Sequence, residues 1–496
     1  MKRFLVVLLS IGFVMALSMS AFAVTPNFTG TYFVRGQYYN NPSLLDQDKG
    51  AGRDSWSSIT QEFRLFTRMM VVDGLSLTMR ADILENLWGL DQDTTNPLNA
   101  TTVDGTGITP GAKATDMKRF NTQNISIEQI YMTFWTGIGT FKVGQKSSKP
   151  FGFGTFFLNS AGTGGGIDWE QKFGKWTVTA EAIKKQKGDM SPDGVPREPL
   201  LGQQDVDKDF YDVTATYKGK GWESGMLVAY FRNADKRTTA ASSFLVTNYM
   251  FDPYFKAQMG PLDLEGEAYY MMGKKEFDTS TATRKDRNIK ASGGYLQAKY
   301  NMGPAWVGAS FIYTSGNDPN STDANGQDIT GNVLSVFGYA RDNSQCWAAI
   351  HAPTILVGTI SDPIHLYTPP RGKVPDKASP LGGAALAGGG AGGGIYDNMI
   401  LYSLKAGYTA SKRLSFDGNL WFAAVARLDD KLSSSDKLGT EIDLHAQYKI
   451  YDNLSYNVGV SYLFTGDYFK ATPALNPAGE DVKNVYQLTH WLTLTL

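Results

Sequence analysis

Apolar and polar residues alternate with a period of two over long stretches of the chain. Between Ile59 and Met69 one set is Ile59, Phe63, Leu65 and Met69, and between them stand Thr60, Glu62, Arg64, Phe66 and Arg68. Leu75, Leu77, Met79, Ala81 and Ile83 alternate with Ser76, Thr78, Arg80 and Asp82. Ile442, Leu444, Ala446 and Tyr448 alternate with Glu441, Asp443, His445, Gln447 and Lys449. Leu454, Tyr456, Val458, Val460, Tyr462 and Phe464 alternate with Ser455, Asn457, Gly459 and Ser461. Successive side chains of a strand point to opposite faces, so each stretch predicts a strand with one apolar and one polar face.

The connections alternate too. Eight are very short: Asp73-Gly74, Gly137 to Gly139, Gly174-Lys175, Gly219 to Gly221, Gly260-Pro261, Gly303-Pro304, Ala410 to Arg413 and Tyr451 to Asn453. The stretches between these hairpins are longer and polar: 40–54, 88–120, 147–166, 186–207, 233–242, 274–288, 315–396, 428–436 and 466–483. Eight hairpins alone give 16 strands, which is the alternative count. A first strand over Thr29–Tyr39 and a last over Val485–Leu496 make 18. A soluble sandwich has no reason to put every long connection at one end, whereas a transmembrane antiparallel up-and-down β-barrel requires it, together with an even strand number. Such strands must close on themselves, because an unpaired N–H or C=O in hydrocarbon costs several kcal/mol. Aromatic pairs flank five of the short turns: Trp135 and Phe141, Phe173 and Trp176, Tyr217 and Trp222, Tyr300 and Trp306, Tyr448 and Tyr451. They predict an interfacial girdle.

The first 23 residues predict a cleaved secretory signal peptide. Lys2 and Arg3 form a basic start, Phe4 to Leu17 an apolar run, and Ala21-Phe22-Ala23 a cleavage site. Residues 24–496 then form a single exported barrel, and no lipobox cysteine marks a lipid anchor. After residue 23 no run of 18 apolar residues occurs; the nearest, Leu381 to Gly394, is mostly Gly and Ala and reads as a flexible loop.

Composition narrows the chemistry. One Cys in 496 residues excludes a disulfide scaffold, a Cys₄ zinc site and a Cys-ligated iron–sulfur cluster. The absence of C-x-x-C-H excludes c-type haem. With 47 basic and 48 acidic residues the chain does not look like a nucleic-acid binder. The histidines (His351, His365, His445 and His490) lack H-E-x-x-H spacing, and neither G-x-S-x-G nor a Walker A motif occurs. Asp443-x-His445 reads as a wall feature. Asp318, Asn320, Asp323, Asn325, Gly326 and Asp328 lack the closing Glu of an EF-hand loop, and Cys346 reads as a loop thiol. The sequence therefore predicts no catalytic, cofactor or metal site.

The last stretch places Tyr486, Leu488, His490, Leu492, Leu494 and Leu496 on one face and Gln487, Thr489, Trp491, Thr493 and Thr495 on the other. It resembles the terminal strand that the barrel-assembly machinery reads in bacterial outer-membrane proteins, although most of those end in Phe and this chain ends in Leu496. The chain as a whole resembles a Gram-negative porin of about 18 strands. Gly439-Thr440-Glu441-Ile442-Asp443-Leu444, with Tyr448 and Gly466-Asp467-Tyr468-Phe469, is similar to the C-terminal part of the alginate-export-like porins. The resemblance implies a water-filled channel in the outer membrane of a Gram-negative bacterium, with lipid and small hydrophilic solutes as partners. It leaves monomer and trimer open.

Alternation then names the lumen. Arg35, Glu62, Arg64, Arg68, Arg80, Asp82, Lys142, Lys146, Glu265, Glu267, Glu441 and Asp443 are expected to line the pore, with Glu181, Asp212, Lys299, Lys405, Asp417, Arg427 and Lys449 on the same inner face. The bases gather in the early strands and point to a basic track favouring anionic solutes; paired wall residues that merely keep the lumen wet are the plainer alternative. In the porins it resembles, the third loop folds inward. Here that is 147–166, where Lys149, Phe151, Phe153, Phe156 and Phe157 are the constriction candidates and nearby glycines permit a tight fold. The longest stretch, 315–396, could equally cover the pore. Two other classes compete with a diffusion channel: a sheath around a periplasmic redox partner in a porin–cytochrome conduit, and an outer-membrane enzyme.

Overall fold

The computed structural model of the chain describes residues 25–40, 55–88, 125–149, 151–153, 163–186, 207–234, 237, 244–278, 286–315, 399–428, 433–470 and 483–496. The expected signal peptide, Phe156, Phe157 and nearly all of 315–396 lie outside the described residues. The strands are β1 (Thr25–Asn40), β2 (Ser55–Val72), β3 (Leu75–Leu87), β4 (Ile125–Thr136), β5 (Gly139–Ser147) and β6 (Thr163–Phe173). There follow β7 (Trp176–Gln186), β8 (Lys208–Lys218), β9 (Trp222–Asn233), β10 (Phe244–Met259), β11 (Leu262–Phe277) and β12 (Arg287–Met302). The last six are β13 (Ala305–Thr314), β14 (Met399–Thr409), β15 (Leu414–Val425), β16 (Lys437–Tyr451), β17 (Leu454–Thr465) and β18 (Val485–Thr495). Each strand pairs antiparallel with its sequence neighbours in an 18-stranded sheet, and β1 pairs with β18, so the sheet is a closed meander. The seam is sealed by ten register pairs from Thr31↔Thr495 to Asn40↔Tyr486, and by mutual bonds between the Gly30 and Leu496 backbones.

All eight short turns fall where the sequence places them. Gly74, Gly174, Gly260 and Gly303 sit in these turns at positive φ, a backbone conformation that only glycine adopts at no steric cost. The longer connections start and stop close to the expected limits, with two clear corrections. Residues 274–277 belong to β11 and 287–288 to β12, not to the connection expected over 274–288. Residues 163–166 belong to β6 rather than to the third loop. Gly164 and Gly166 extend the strand because Ile183 of β7 fills the space a side chain would need: a Cβ at either position would lie 2.6 or 2.5 Å from it.

The two faces separate as the alternation predicts. Ile130, Met132, Val213, Met226, Val228, Leu296, Val307, Leu404, Leu444 and Val460 are exposed on the outside. Aromatic rings bound this belt. At the turn end Trp176, Tyr217 and Trp222 contact in series at 5.0 Å between centroids, and Phe134 stacks on Phe141 at 5.3 Å. At the loop end Tyr211, Tyr230 and Tyr249 form a ladder across β8, β9 and β10. From Trp222 to Tyr230 the strand runs about 27 Å along its own length, which at a tilt of about 40° spans roughly 20 Å of height, most of the apolar band about 25 Å tall in membrane barrels. Two expected girdle members are corrected. Trp306 lies on the inner face beneath the Lys299 ammonium (4.9 Å), and Trp135 shares the inner face with Thr133 and lies under the Arg68 guanidinium (5.7 Å). Both keep the inward phase of their strands, and each ring is covered by a cation there. Arg427 is corrected too: it follows the last residue of β15 and is exposed. Beyond β17, a single 3₁₀ turn over Asp467–Lys470 carries an Asp467–Lys470 ion pair (2.7 Å), and the Lys470 hydrogen bond holds the Asp467 carboxyl below its ordinary range.

Candidate functional site in the barrel interior

Strand phase puts every charged candidate from the sequence, apart from Arg427, on the inner wall. On β2 and β3 the arginines are held by acids beside them. Arg64 meets Glu62 at 2.7 Å and Asp82 at 3.2 Å, and Arg80 meets the same Asp82 through both Nη2 (2.5 Å) and Nε (3.0 Å). Asp82 is thus shared by two guanidiniums. Arg68 donates to Ser76 Oγ at 3.4 Å and stays exposed to the lumen. Next to this wall, register aligns Lys142, Asp168, Glu181 and Asp212 in one row across β5 to β8. The Lys146 ammonium, itself buried, bridges Asp168 and Glu181. Burial of charge requires such pairing. The early strands therefore carry a basic wall whose bases are in large part neutralised locally.

On the later strands Glu265 accepts from the Tyr295 hydroxyl (2.6 Å) and from Gln297 Nε2 (2.9 Å), and Gln297 Oε1 accepts from the buried Lys405 ammonium (2.6 Å). Glu441 and Asp443 are completely buried on the inner face of β16. His445 turns away from the Asp443 of its own strand. Its Nδ1 faces Asp417 of β15 (3.0 Å), its Nε2 faces Asn457 of β17 (3.3 Å), and its ring stacks on Trp491 of β18. Asp417 is the register partner of His445, and adjacent inward residues on paired strands sit side by side.

The start of the third loop runs into the lumen. The Ser148 hydroxyl and the Lys149 N–H (3.3 Å) donate to Glu181 of β7. Phe151 is buried against Tyr254 of β10 (4.9 Å between centroids). Phe153 packs edge-on against Tyr254 (6.1 Å) and Tyr295 (5.7 Å), under the Lys256 ammonium (4.5 Å). Its N–H donates to Glu267 of β11 at 2.8 Å, and Lys256 Nζ donates to the Gly152 carbonyl at 3.4 Å. This segment leaves β5 and comes to rest on the inner wall of β9–β12. Beside it, toward the short turns, lies a cavity of about 740 Å³ lined by Glu223, Lys256, Glu265, Lys299, Lys405 and Asp417 among others.

No family model matches the chain, and no curated protein does. Solved structures do. The anion-selective porin of Comamonas acidovorans is 10% identical, with a TM-score of 0.43, over 95% of this chain and 100% of that one. OccK9 (OpdG) of Pseudomonas aeruginosa is 12% identical, with a TM-score of 0.48, over 95% and 99%. OccAB2 of Acinetobacter baumannii is 11% identical, with a TM-score of 0.48, over 95% and 98%.

One feature of the interior escaped the sequence reading. The loop-side half of the inner face from β7 to β18 carries an apolar cluster: Ile183, Phe210, Leu227, Met250, Met271, Ile289, Ile312, Leu401, Trp421, Leu463 and Val485 are buried there with Phe151 and Tyr468, interrupted by buried Asn248, Asp252, Lys275, Glu441 and Asp443. The loop side of the wall from β7 to β18 is therefore richer in buried apolar side chains than β1–β6. The signal was present. Phe244-Leu245-Val246 and Met399-Ile400-Leu401-Tyr402 are apolar on both phases, the mark of strands covered on both faces.

Proposed function

We propose that the chain is an outer-membrane diffusion channel for small hydrophilic solutes, anionic ones included, and that it carries out no covalent chemistry. One observation carries this reading: a closed barrel turns an apolar, aromatic-bounded face outward and a charged, partly exposed wall inward. Facing lipid at mid-depth, charges such as Arg64, Arg80 and Lys142 would each cost about 2–4 kcal/mol; facing water they cost little. The solute path follows β1–β5, where Arg68 and Lys142 meet the lumen, and the inward third-loop segment narrows it. Export through the leader over residues 1–23, insertion by the barrel-assembly machinery, and membership of the alginate-export type belong to the same reading. The last is supported by the likeness of 439–444 and 466–469 alone. Oligomeric assembly is left to measurement.

The test is reconstitution of the purified, folded protein in planar bilayers. Discrete, voltage-independent conductance steps are expected, with a reversal potential on the anion side in a salt gradient. Replacing Arg64, Arg68 and Arg80 together by Gln lowers the anion-to-cation permeability ratio. A folded barrel that gives no steps in repeated preparations overturns the reading.

A further inference from the structure

We infer that Glu267 is the positioning residue that latches the inward segment across the lumen and so sets the size limit of the channel. The inference rests on the reading of the lumen as the solute path. Three independent features converge on this carboxylate. It lies buried on the inner face of β11 and accepts the Phe153 N–H at 2.8 Å. A carboxylate accepting a backbone N–H makes a charge-assisted bond, about twice as strong as a neutral one. Gly152, one residue before, has φ near +58°, and a Cβ there would lie 2.5 Å from Glu267 Oε2, so the backbone approaches the carboxylate as only glycine can. Phe151 and Phe153, on either side of Gly152, then enter a seat built from Tyr254 and Tyr295.

The seat is itself fixed. The Tyr254 hydroxyl donates to Glu223 (2.7 Å) and the Tyr295 hydroxyl to Glu265 (2.6 Å), so neither side chain can swing about its Cα–Cβ bond without breaking a bond to a carboxylate. At its other end the segment is tied to Glu181 through Ser148 and Lys149. It is a strap tied at β7 through Glu181, at β10 through Lys256 and at β11 through Glu267, and Glu267 makes the shortest polar bond to the end bearing the aromatic rings. Losing that acceptor leaves the Gly152–Phe153 end with the weaker Lys256 contact to the Gly152 carbonyl (3.4 Å) and the ring packing, and so loosens it, while β5 and the Glu181 tie stay in place.

The experiment compares Glu267→Ala, Glu267→Gln and Gly152→Val, each checked for the heat-dependent gel mobility of a folded barrel. Single-channel conductance and the largest neutral oligosaccharide admitted by proteoliposomes are measured for each. Glu267→Ala and Gly152→Val raise conductance about twofold and admit larger sugars, because conduction follows the open section of the bore. Glu267→Gln keeps an acceptor oxygen and keeps the wild-type size limit. A second readout needs no conduction: Phe153→Cys in a Cys346→Ser background is slow to react with a water-soluble thiol reagent, and adding Glu267→Ala speeds it at least tenfold. If wild type conducts but Glu267→Ala changes neither size limit nor labelling, the latch is overturned. If Gln and Ala shift the size limit alike, Glu267 acts as a pore charge and the latch is likewise overturned. If labelling responds while no variant conducts, the latch stands and the channel reading fails.

Discussion

At the scale of single residues, the interior is a set of local neutralisations. Asp82 joins the Arg64 and Arg80 guanidiniums, and both would otherwise present a full charge to the lumen. Asp82→Asn should therefore raise the anion-to-cation permeability ratio, opposite in sign to the triple arginine replacement, and reversal potentials in a KCl gradient check it. It should also lower stability, because Arg64 then keeps only the Glu62 carboxylate of its two acids and Arg80 loses the Asp82 carboxylate. The sequence showed that these residues face inward. It could not show which acid meets which base, since period-two alternation fixes a face and leaves side-chain reach along and across strands undecided. Gly166 makes the same point for packing. Its Cβ position is 2.5 Å from Ile183 and 2.6 Å from a carbonyl oxygen, so Gly166→Ala should cost about 1–3 kcal/mol by overpacking. The midpoint of urea unfolding from lipid vesicles measures it.

At the scale of elements, the pattern of turns decided most of the architecture. Asp73-Gly74 and Gly174-Lys175 are recognisable because positive φ selects glycine, and a two-residue turn ties its flanking strands into one register. Alternation then set the faces, and the prediction at this scale tests that phase. Leu444 lies on the outer face of β16 and is more than half exposed, while its neighbour Asp443 is buried inside. Leu444→Arg should reduce stability by about 2–4 kcal/mol, as an arginine on the lipid face near mid-depth does. Gln447→Arg, three residues on and inward, should have little effect. Equal losses would mean the phase of β16 is wrong. Trp135 and Trp306 were misplaced at this scale, because proximity to a turn says how deep a ring sits and nothing about which face it occupies. The apolar inner layer was missed for a related reason: Phe244 to Val246 reads the same whether the second apolar face meets lipid or protein.

At the scale of the whole molecule, the charges nearly cancel, 47 basic against 48 acidic residues, and the inner bases are largely paired where they stand. A field that selects ions must come from what remains uncancelled, with Arg68 and Lys142 on the early-strand wall as its most accessible sources. Such a field acts only within about a Debye length, roughly 10 Å at 0.1 M salt and 3 Å at 1 M. At the lower concentration it reaches well beyond the wall that carries it. At the higher one it is confined to the wall. The anion-to-cation permeability ratio should accordingly be modest at 0.1 M and fall toward unity by 1 M, while the oligosaccharide size limit stays constant over the same range. On the proposed latch, size exclusion rests on packed rings and short hydrogen bonds, which bulk salt screens little. A ratio that holds unchanged to 1 M would place selection in direct contact between solute and side chain, and would shift attention from the early-strand wall to the 740 Å³ cavity, where Lys256, Lys299 and Lys405 converge.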